Sequence, residues 1–326
     1  MDDLAIIVVS TNEAHWLRPC LRTVFANAGA IRIDVVVADN QSTDGTRELV
    51  EREFLAARVV TCANRGFSHA NNRALMTCDA RYVLFLNPDT EILEGTLEEL
   101  VRALDERPLV GLAGVKQLTA DGTLYPTIRR FPTALRALGE ALGSSRLGLR
   151  AESLGTHELD AAVYERELSC DWTSGSFMLA RREAIESAGF MDERSFIYSE
   201  EPDLCLRMKQ AGWEVRHLPL VTILHHAEKA GINPKMAAQQ AVARLHYARK
   251  FLPPIHRAAY IGSLFVHHAI RYTLGGRGRR AEARSALRIL LRLDEPPFGP
   301  PPKLAVAARD ESIEHASPDA VPSEAA

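Results

Sequence analysis

The stretch Leu4-Ala-Ile-Ile-Val-Val9 is an unbroken apolar run, and the polar cluster Ser10-Thr11-Asn12-Glu13 follows it directly. A run of this length without alternation reads as a strand covered on both faces. The same reading gives strands over 33–38, 58–61, 82–86 and 110–115. Helical patterns over 15–27, 46–55, 68–77 and 96–106 separate them. Apolar strands alternating with helices predict an α/β fold with a central, mostly parallel sheet flanked by helices. Ligands of such sheets bind beyond the carboxyl ends of the strands. Four polar clusters fall there: Thr11-Asn12-Glu13, Asp39-Asn40-Gln41-Ser42, Asn64-Arg65-Gly66-Phe67 with Asn71 close behind, and Asn87-Pro88-Asp89.

Farther along, 120–167 is less regular and contains a Gly/Ser-rich stretch, 139–148, that reads as a mobile loop with a short helix nearby. A strand is predicted over 175–181 and a helix over 182–188. A second helix is predicted over 202–211, with Pro202 at its first position and Gly212 just past its end. Short strands follow over 215–218 and 221–225. The domain division is then 1–232 for the α/β unit, 233–295 for a basic helical region, and 296–326 for a Pro/Ala-rich tail expected to be disordered.

No glycine-rich phosphate loop of the GxGxxG or GxxxxGK[ST] type is present, so a nucleotide must be held by other means. Asp39 can accept from a base or ribose, or simply form an Asx-turn before the helix at Thr46. Asp89 suits Mg2+ or Mn2+, which bind one or two carboxylates plus substrate phosphate oxygens; a Pro-Asp turn is the rival reading. Tyr198-Ser-Glu-Glu-Pro-Asp203 is the densest acidic site. Glu201, beside a helix start, is expected to stay ionised and take a proton from a sugar hydroxyl, with a solvated capping cluster as the alternative. Trp172-Thr173-Ser174-Gly175 offers an aromatic face and hydroxyls for an acceptor sugar, although Trp172 could equally be core. A ring nitrogen of His225 or His226 could complete a metal shell or contact a diphosphate.

In order along residues 3–230, these pieces resemble the bacterial rhamnosyltransferase-like branch of glycosyltransferase family 2: Val8-Val-Ser-Thr-Asn12, Val37-Ala-Asp-Asn-Gln-Ser-Thr-Asp-Gly-Thr46, Asn64-Arg-Gly-Phe67 with Asn71-Asn72, Leu86-Asn-Pro-Asp89, Asp171-Trp-Thr-Ser-Gly175, Gly189-Phe-Met-Asp-Glu193, Tyr198–Arg207 and His225-His226. The resemblance implies a GT-A fold, a divalent metal and direct displacement with inversion at the anomeric carbon. It carries nucleotide contacts onto Thr11, Glu13, Asp39 and Asn64, the metal ligand onto Asp89, the histidine onto His225 and the base onto Glu201. Two positions depart from the family pattern. Asn87 replaces an acid, and Glu201 stands where Asp is usual, which keeps Glu200 and Asp203 in view as the working acid. The implied donor is a nucleotide-diphosphate sugar, dTDP-rhamnose or a UDP-sugar. The implied acceptor is a glycan or lipid-linked hydroxyl of cell-envelope polysaccharide synthesis. A non-catalytic sugar-nucleotide-binding or scaffold protein of the same fold is the alternative.

The chain's 326 residues carry a net charge of −3, yet the stretch from Arg244 to Arg292 holds eleven Lys or Arg and one acid, Glu282. Such asymmetry suits an anionic partner. Arg280, Arg284, Arg288 and Arg292 recur every fourth residue, with Ala283, Ala286, Leu287, Leu290 and Leu291 elsewhere on the turn, a pattern fit for an anionic membrane surface. A packing element or a homodimer interface is the rival reading. Nucleic acid is not expected, because interleaved aromatics and recognition patterns are lacking. Five scattered cysteines, an acidic start and the lack of a long apolar run predict a cytoplasmic protein, peripherally attached to the inner face of the membrane.

Overall fold

The computed structural model describes residues 2–142, 154–227, 233–300 and 302. Its core is a nine-stranded sheet built around strand β1 (Asp2–Ser10). β1 pairs in parallel with β2 (Ile33–Asp39) and β4 (Ala80–Leu86), and β2 pairs in parallel with β3 (Ala57–Thr61). Ser10 lies opposite Asp39, and Asp39 opposite Thr61, so the polar ends of these strands share one rim. Although β1 is apolar throughout, its side chains alternate between faces. Ile6 and Val8 pack with Leu17 and Leu21 of helix α1 (Ala14–Ala26), whereas Ala5 and Ile7 pack with Ala70 and Ala74 of α3 (Phe67–Leu75). Helix α2 (Thr46–Glu53) joins β2 to β3.

Beyond β4 the sheet changes character. β8 (Phe177–Arg181) pairs antiparallel to β4, with Phe177 opposite Leu86, and β6 (Val110–Leu118) pairs antiparallel to β8. The parallel arrangement expected throughout therefore holds for β1 to β4 and for β6 with β9 (Glu214–His225). β9 is one strand where the sequence suggested two. Pro219 cannot donate to a ladder, and the register with β6 slips between Gly114 and Lys116. β5 (Thr90–Glu94), which the sequence did not disclose, pairs antiparallel to β9, as does the short β7 (Leu168–Ser169). Glu91 and Glu94 hide β5 from an apolar-run reading. Helix α4 (Leu97–Asp105) starts on a capping box in which Thr96 and Glu99 satisfy each other's backbone N–H. Helix α6 (Arg182–Ser187) follows β8, and α7 (Glu200–Gln210) precedes β9. Pro202 is the third residue of α7, not its first; Pro is tolerated there because first-turn N–H groups have no intrahelical acceptor.

The remaining helices form a cap. Helix α5 (Ala134–Ala141) includes Gly139, where a loop was expected; residues 143–148 of that stretch lie outside the described residues. Helices α8 (Pro234–Phe251), α9 (Pro254–Leu274) and α10 (Arg277–Leu290) complete the cap. Ala286 and Ile289 of α10 are buried with Ala238, Ala241 and Leu245 of α8. The apolar side of α10 is thus committed to packing, as the rival reading held, and its arginines 280 and 284 face outward. The cap is fastened to the α/β unit by Lys250, whose Nζ lies 2.6 Å from Asp192 and 2.5 Å from Asp203. The start of the tail is also packed: Phe298 stacks on Phe196 with ring centroids 3.9 Å apart, and residues 303–326 lie outside the described residues.

Candidate active site

The first two polar clusters of the rim hold each other in place. Asn12, with φ 59°, donates its N–H to Ser42 Oγ at 3.0 Å and accepts the Thr43 N–H at 2.7 Å. Asp44 accepts from Ala14 N–H at 2.9 Å and from the Thr46 hydroxyl at 2.6 Å. One oxygen of the buried Asp39 accepts the Ser42 N–H at 3.1 Å, the Asx-turn foreseen as its rival role. Neighbouring Asn40 is buried with its Oδ1 unpartnered. Thr11 is exposed and Glu13 half-buried at the entry to α1; Asn64 and Arg65 are exposed across the rim. Gly66 fits there because a Cβ at φ 106° would meet the Phe196 carbonyl oxygen at 2.1 Å. Asn71 corrects the donor-contact expectation: it is fully buried, donating to the Phe67 carbonyl at 3.0 Å, because α3 turns that face inward.

At the end of β4, Asn87 donates its N–H to the Ser176 carbonyl at 3.0 Å. Asp89 Oδ2 is 3.5 Å from His225 Nε2, brought together by the register that sets Thr90 opposite His225. Burial raises the Asp89 carboxyl, but the imidazole and nearby backbone N–H groups outweigh it, leaving the pKa below the ordinary carboxylate range. His225 Nδ1 is buried without a partner, and Tyr125 meets its ring edge-on at 4.8 Å. His226 points elsewhere, to Glu91 at 2.6 Å and the Trp16 ring at 4.2 Å. Among the described residues no group of three or more His, Cys, Asp or Glu gathers into a metal cage. Asp89 and His225 can offer two ligands of a shell whose other positions substrate oxygens would fill.

Tyr198 and Ser199, at φ 75° and 66°, are two consecutive left-handed residues before α7. Strain of that kind persists where surrounding structure fixes it, and here it presents Glu200 and Glu201 on the first turn. Glu201 Oε1 accepts the Gly175 N–H at 3.1 Å. It lies on the wall of a cavity of about 430 Å³ bounded by Trp172, Ser174 and Tyr198 on one side and Arg244, Tyr247 and Tyr260 of the cap on the other. Although Glu201 lies at a helix start, its pKa is raised. Burial dominates the Gly175 N–H and the Arg129 charge. Glu200 is raised further, by burial and then by Glu201 beside it, and its Oε2 has no partner. Asp203 drops out of the base candidates, because its carboxylate is held by Lys250 and by Arg207 at 2.6 Å. Thr173 drops out of the acceptor face, since it is buried against Gly114. Trp172 is half-buried, donating its indole N–H to the Arg130 carbonyl at 3.0 Å with one side on the cavity. Arg129, His157, Tyr125 and Arg244 were not found from the sequence. The first three sit in its irregular middle, where no periodicity marks them.

A mixed sheet with a polar rim, an Asp–His pair and a buried carboxylate facing a cavity thus make up the site. Residues 5–186 match the model of glycosyl transferase family 2. The chain is 32% identical over 246 residues to the N-acetylglucosaminyl-diphospho-decaprenol L-rhamnosyltransferase of Mycobacterium tuberculosis, covering 72% of this chain and 79% of that one. It is 25% identical over 230 residues to the rhamnosyltransferase WbbL of Escherichia coli, covering 68% and 83%. In fold it is similar to the mannosyltransferase PcManGT of Pyrobaculum calidifontis, solved with GDP-Man and Mn2+, with a TM-score of 0.52, 20% identity and coverage of 91% and 84%. The chain belongs to glycosyl transferase family 2, whose members are inverting glycosyltransferases.

The Glu200–Glu201 pair has a measurable consequence. A carboxyl whose pKa is raised on folding binds its proton more tightly in the native state, so its contribution to stability falls as pH rises from the unfolded pKa through the folded one. Glu200→Gln is expected to raise Tm at pH 7.5 by about 2 °C, with the gap closing near pH 4. Scanning calorimetry across that range checks both the sign and the convergence.

Proposed function

We propose that the protein transfers a deoxyhexose or hexose, with rhamnose first in line, from a dTDP- or UDP-sugar to a hydroxyl of a lipid-linked glycan acceptor, with Glu201 as the general base. The observation that carries this reading is the location of Glu201: on the cavity wall, pinned by the Gly175 N–H, in a loop whose next residue receives the Asn87 N–H of the metal motif. The two M. tuberculosis and E. coli relatives named as rhamnosyltransferases support the sugar, and the decaprenol in the name of the first supports the acceptor class.

Asp39, Thr11, Glu13 and Asn64 would receive the nucleotide along the rim. Asp89 and His225 would hold Mg2+ or Mn2+, which would neutralise charge on the departing diphosphate. The lowered pKa of Asp89 and the approach of His225 Nε2 to its carboxylate at 3.5 Å fit that role. Glu201 takes the proton of the acceptor hydroxyl as its oxygen attacks the anomeric carbon opposite the leaving group, which inverts that centre. A base with an elevated pKa is better matched to a neutral medium than an ordinary glutamate.

The cap supports attachment to the cytoplasmic leaflet by a route other than the arginine helix alone. Along α9, Ile255, Phe265, Val266 and Tyr272 are exposed together with Ala258, Ala259 and Gly262, an apolar stripe at helical spacing. The exposed arginines 277, 279, 280 and 284 begin where it ends. Apolar insertion beside basic charge suits an anionic surface, and the opposite side of α9 contributes Tyr260 to the cavity. Among the described residues no helix is long and apolar enough to cross a membrane.

Two measurements test these assignments. Glu201→Gln is expected to lower kcat by about a thousandfold. The acid limb of the wild-type kcat profile should lie above the ordinary glutamate value of 4.5, since protonation below the raised pKa disables the base; a variant with near wild-type rates removes Glu201 from the role. Vesicles containing phosphatidylglycerol should pellet the protein at low salt, and Phe265→Asp with Val266→Asp should abolish it. Absence of pelleting at any salt refutes the membrane surface.

A further inference from the structure

The cavity beside Glu201 is lined by two arginines, Arg129 and Arg244, and two glutamates, Glu140 and Glu201. Arg129 reaches it from the segment before α5, and Arg244 from α8, one turn from Gln240 and Tyr247. Neither guanidinium forms an ion pair among the described residues. Arg129 Nη1 donates to His157 Nε2 at 2.6 Å, which fixes that ring as a neutral acceptor and leaves Nδ1 to donate to Thr156 Oγ1 at 3.0 Å. The Thr156 hydroxyl donates in turn to Glu140. Arg129 Nε is buried and has no partner, and its guanidinium lies 5.1 Å over the Trp172 ring.

The histidines near these arginines have lowered pKa values, chiefly from burial. His157 is pushed down to about 4 by burial, then by Arg129, with Glu140 opposing and Arg244 adding. His267 is pushed down to about 4 by burial and by Arg244 and Arg271, and His268 to about 3 by burial, His267 and the same arginines. Protein interiors seldom leave arginine without a carboxylate or another acceptor. Arg244 has no ion pair among the described residues and Arg129 has only a neutral acceptor, His157, so on the wall of a site that must receive a substrate both guanidinium groups are open to an anion that the substrate brings.

We propose that Arg129 and Arg244 form an anion subsite on the acceptor side of Glu201 that binds the diphosphate ester of the acceptor. This rests on the glycosyltransferase reading above. A planar guanidinium offers paired donors to phosphate oxygens, and Trp172 together with Tyr198 provides flat surfaces for the sugar next to it. The geometry divides recognition in two: the donor diphosphate goes to Asp89 and His225, the acceptor diphosphate to Arg129 and Arg244. An acceptor sugar linked through diphosphate would be selected over the same sugar on a neutral stem, and the diphosphate would fix which hydroxyl meets Glu201.

The test is isothermal titration of the full chain with inorganic pyrophosphate in metal-free buffer, beside Arg129→Gln, Arg244→Gln and the double variant. Each single change is expected to weaken binding about tenfold, as loss of a charge-assisted contact of about 1.4 kcal/mol requires, and the double variant to abolish it. Wild-type protein that binds no pyrophosphate overturns the inference. So does binding that survives in the double arginine variant, which would place the anion elsewhere. Thermal melts exclude unfolding, and Arg244→Lys should retain part of the affinity. Donor hydrolysis with Mn2+ by the wild type, measured on the same preparation, tests the glycosyltransferase reading separately, so failure of one is distinguishable from failure of the other.

Discussion

Strand β4 runs parallel to β1 on one side and antiparallel to β8 on the other, and the site depends on that change of direction. Because β8 enters where β4 ends, Phe177 sits opposite Leu86 and the Asn87 N–H reaches the Ser176 carbonyl. The loop from Trp172 to Ser176 is thereby brought to the rim that carries Asp89. The same loop pins Glu201 through the Gly175 N–H. A Cβ at position 175 would meet Glu201 Oε1 at 2.9 Å, so the backbone and the carboxylate can approach only because the residue is glycine. One seam in the sheet thus joins a donor half, built on strand ends, to an acceptor half, built on a helix start.

The cap completes the acceptor half. Lys250 bridges Asp192 and Asp203, and burial at Asp192 is outweighed by the cations around it, Arg194, His246 and Lys250, which hold its pKa far below the ordinary range. Beside Asp192, Glu193 accepts from Asn72 at 2.9 Å and lies 2.8 Å from His69, tying the same loop to α3. The path from the cap through 192–193 to α3 and through Asp203 to α7 couples the helices that close the cavity to those that carry the donor loop and the base. Breaking one partner of such a buried cluster leaves uncompensated charge, which is costly.

Much of the α/β half was legible because its signals are local. Apolar runs, capping residues and loop chemistry gave the first four strands and the rim to within a few residues. What escaped depends on tertiary context. β5 is polar on one side, and Pro219 split β9. The antiparallel entry of β8 has no signature in its own residues. Asn71 and Thr173 belong to motifs by position, but face inward by packing. The raised pKa of Glu201 comes from burial, a quantity no spacing encodes, and the helix start alone did not disclose it. Arg129 and Arg244 lie far apart in sequence and meet only across the cavity.

The proposed function needs one site with two halves, in which Asp89 and His225 would hold the metal on the donor side and Glu201 would act on the acceptor side. Anomalous diffraction from crystals grown with Mn2+ and a nucleoside diphosphate tests it most directly. The account predicts a single Mn2+ peak within about 2.3 Å of Asp89 Oδ and a His225 ring nitrogen, with the nucleoside against Asp39 and the open side of the ion toward Glu201. A peak bound elsewhere, or a nucleotide seated away from Asp39, would contradict it.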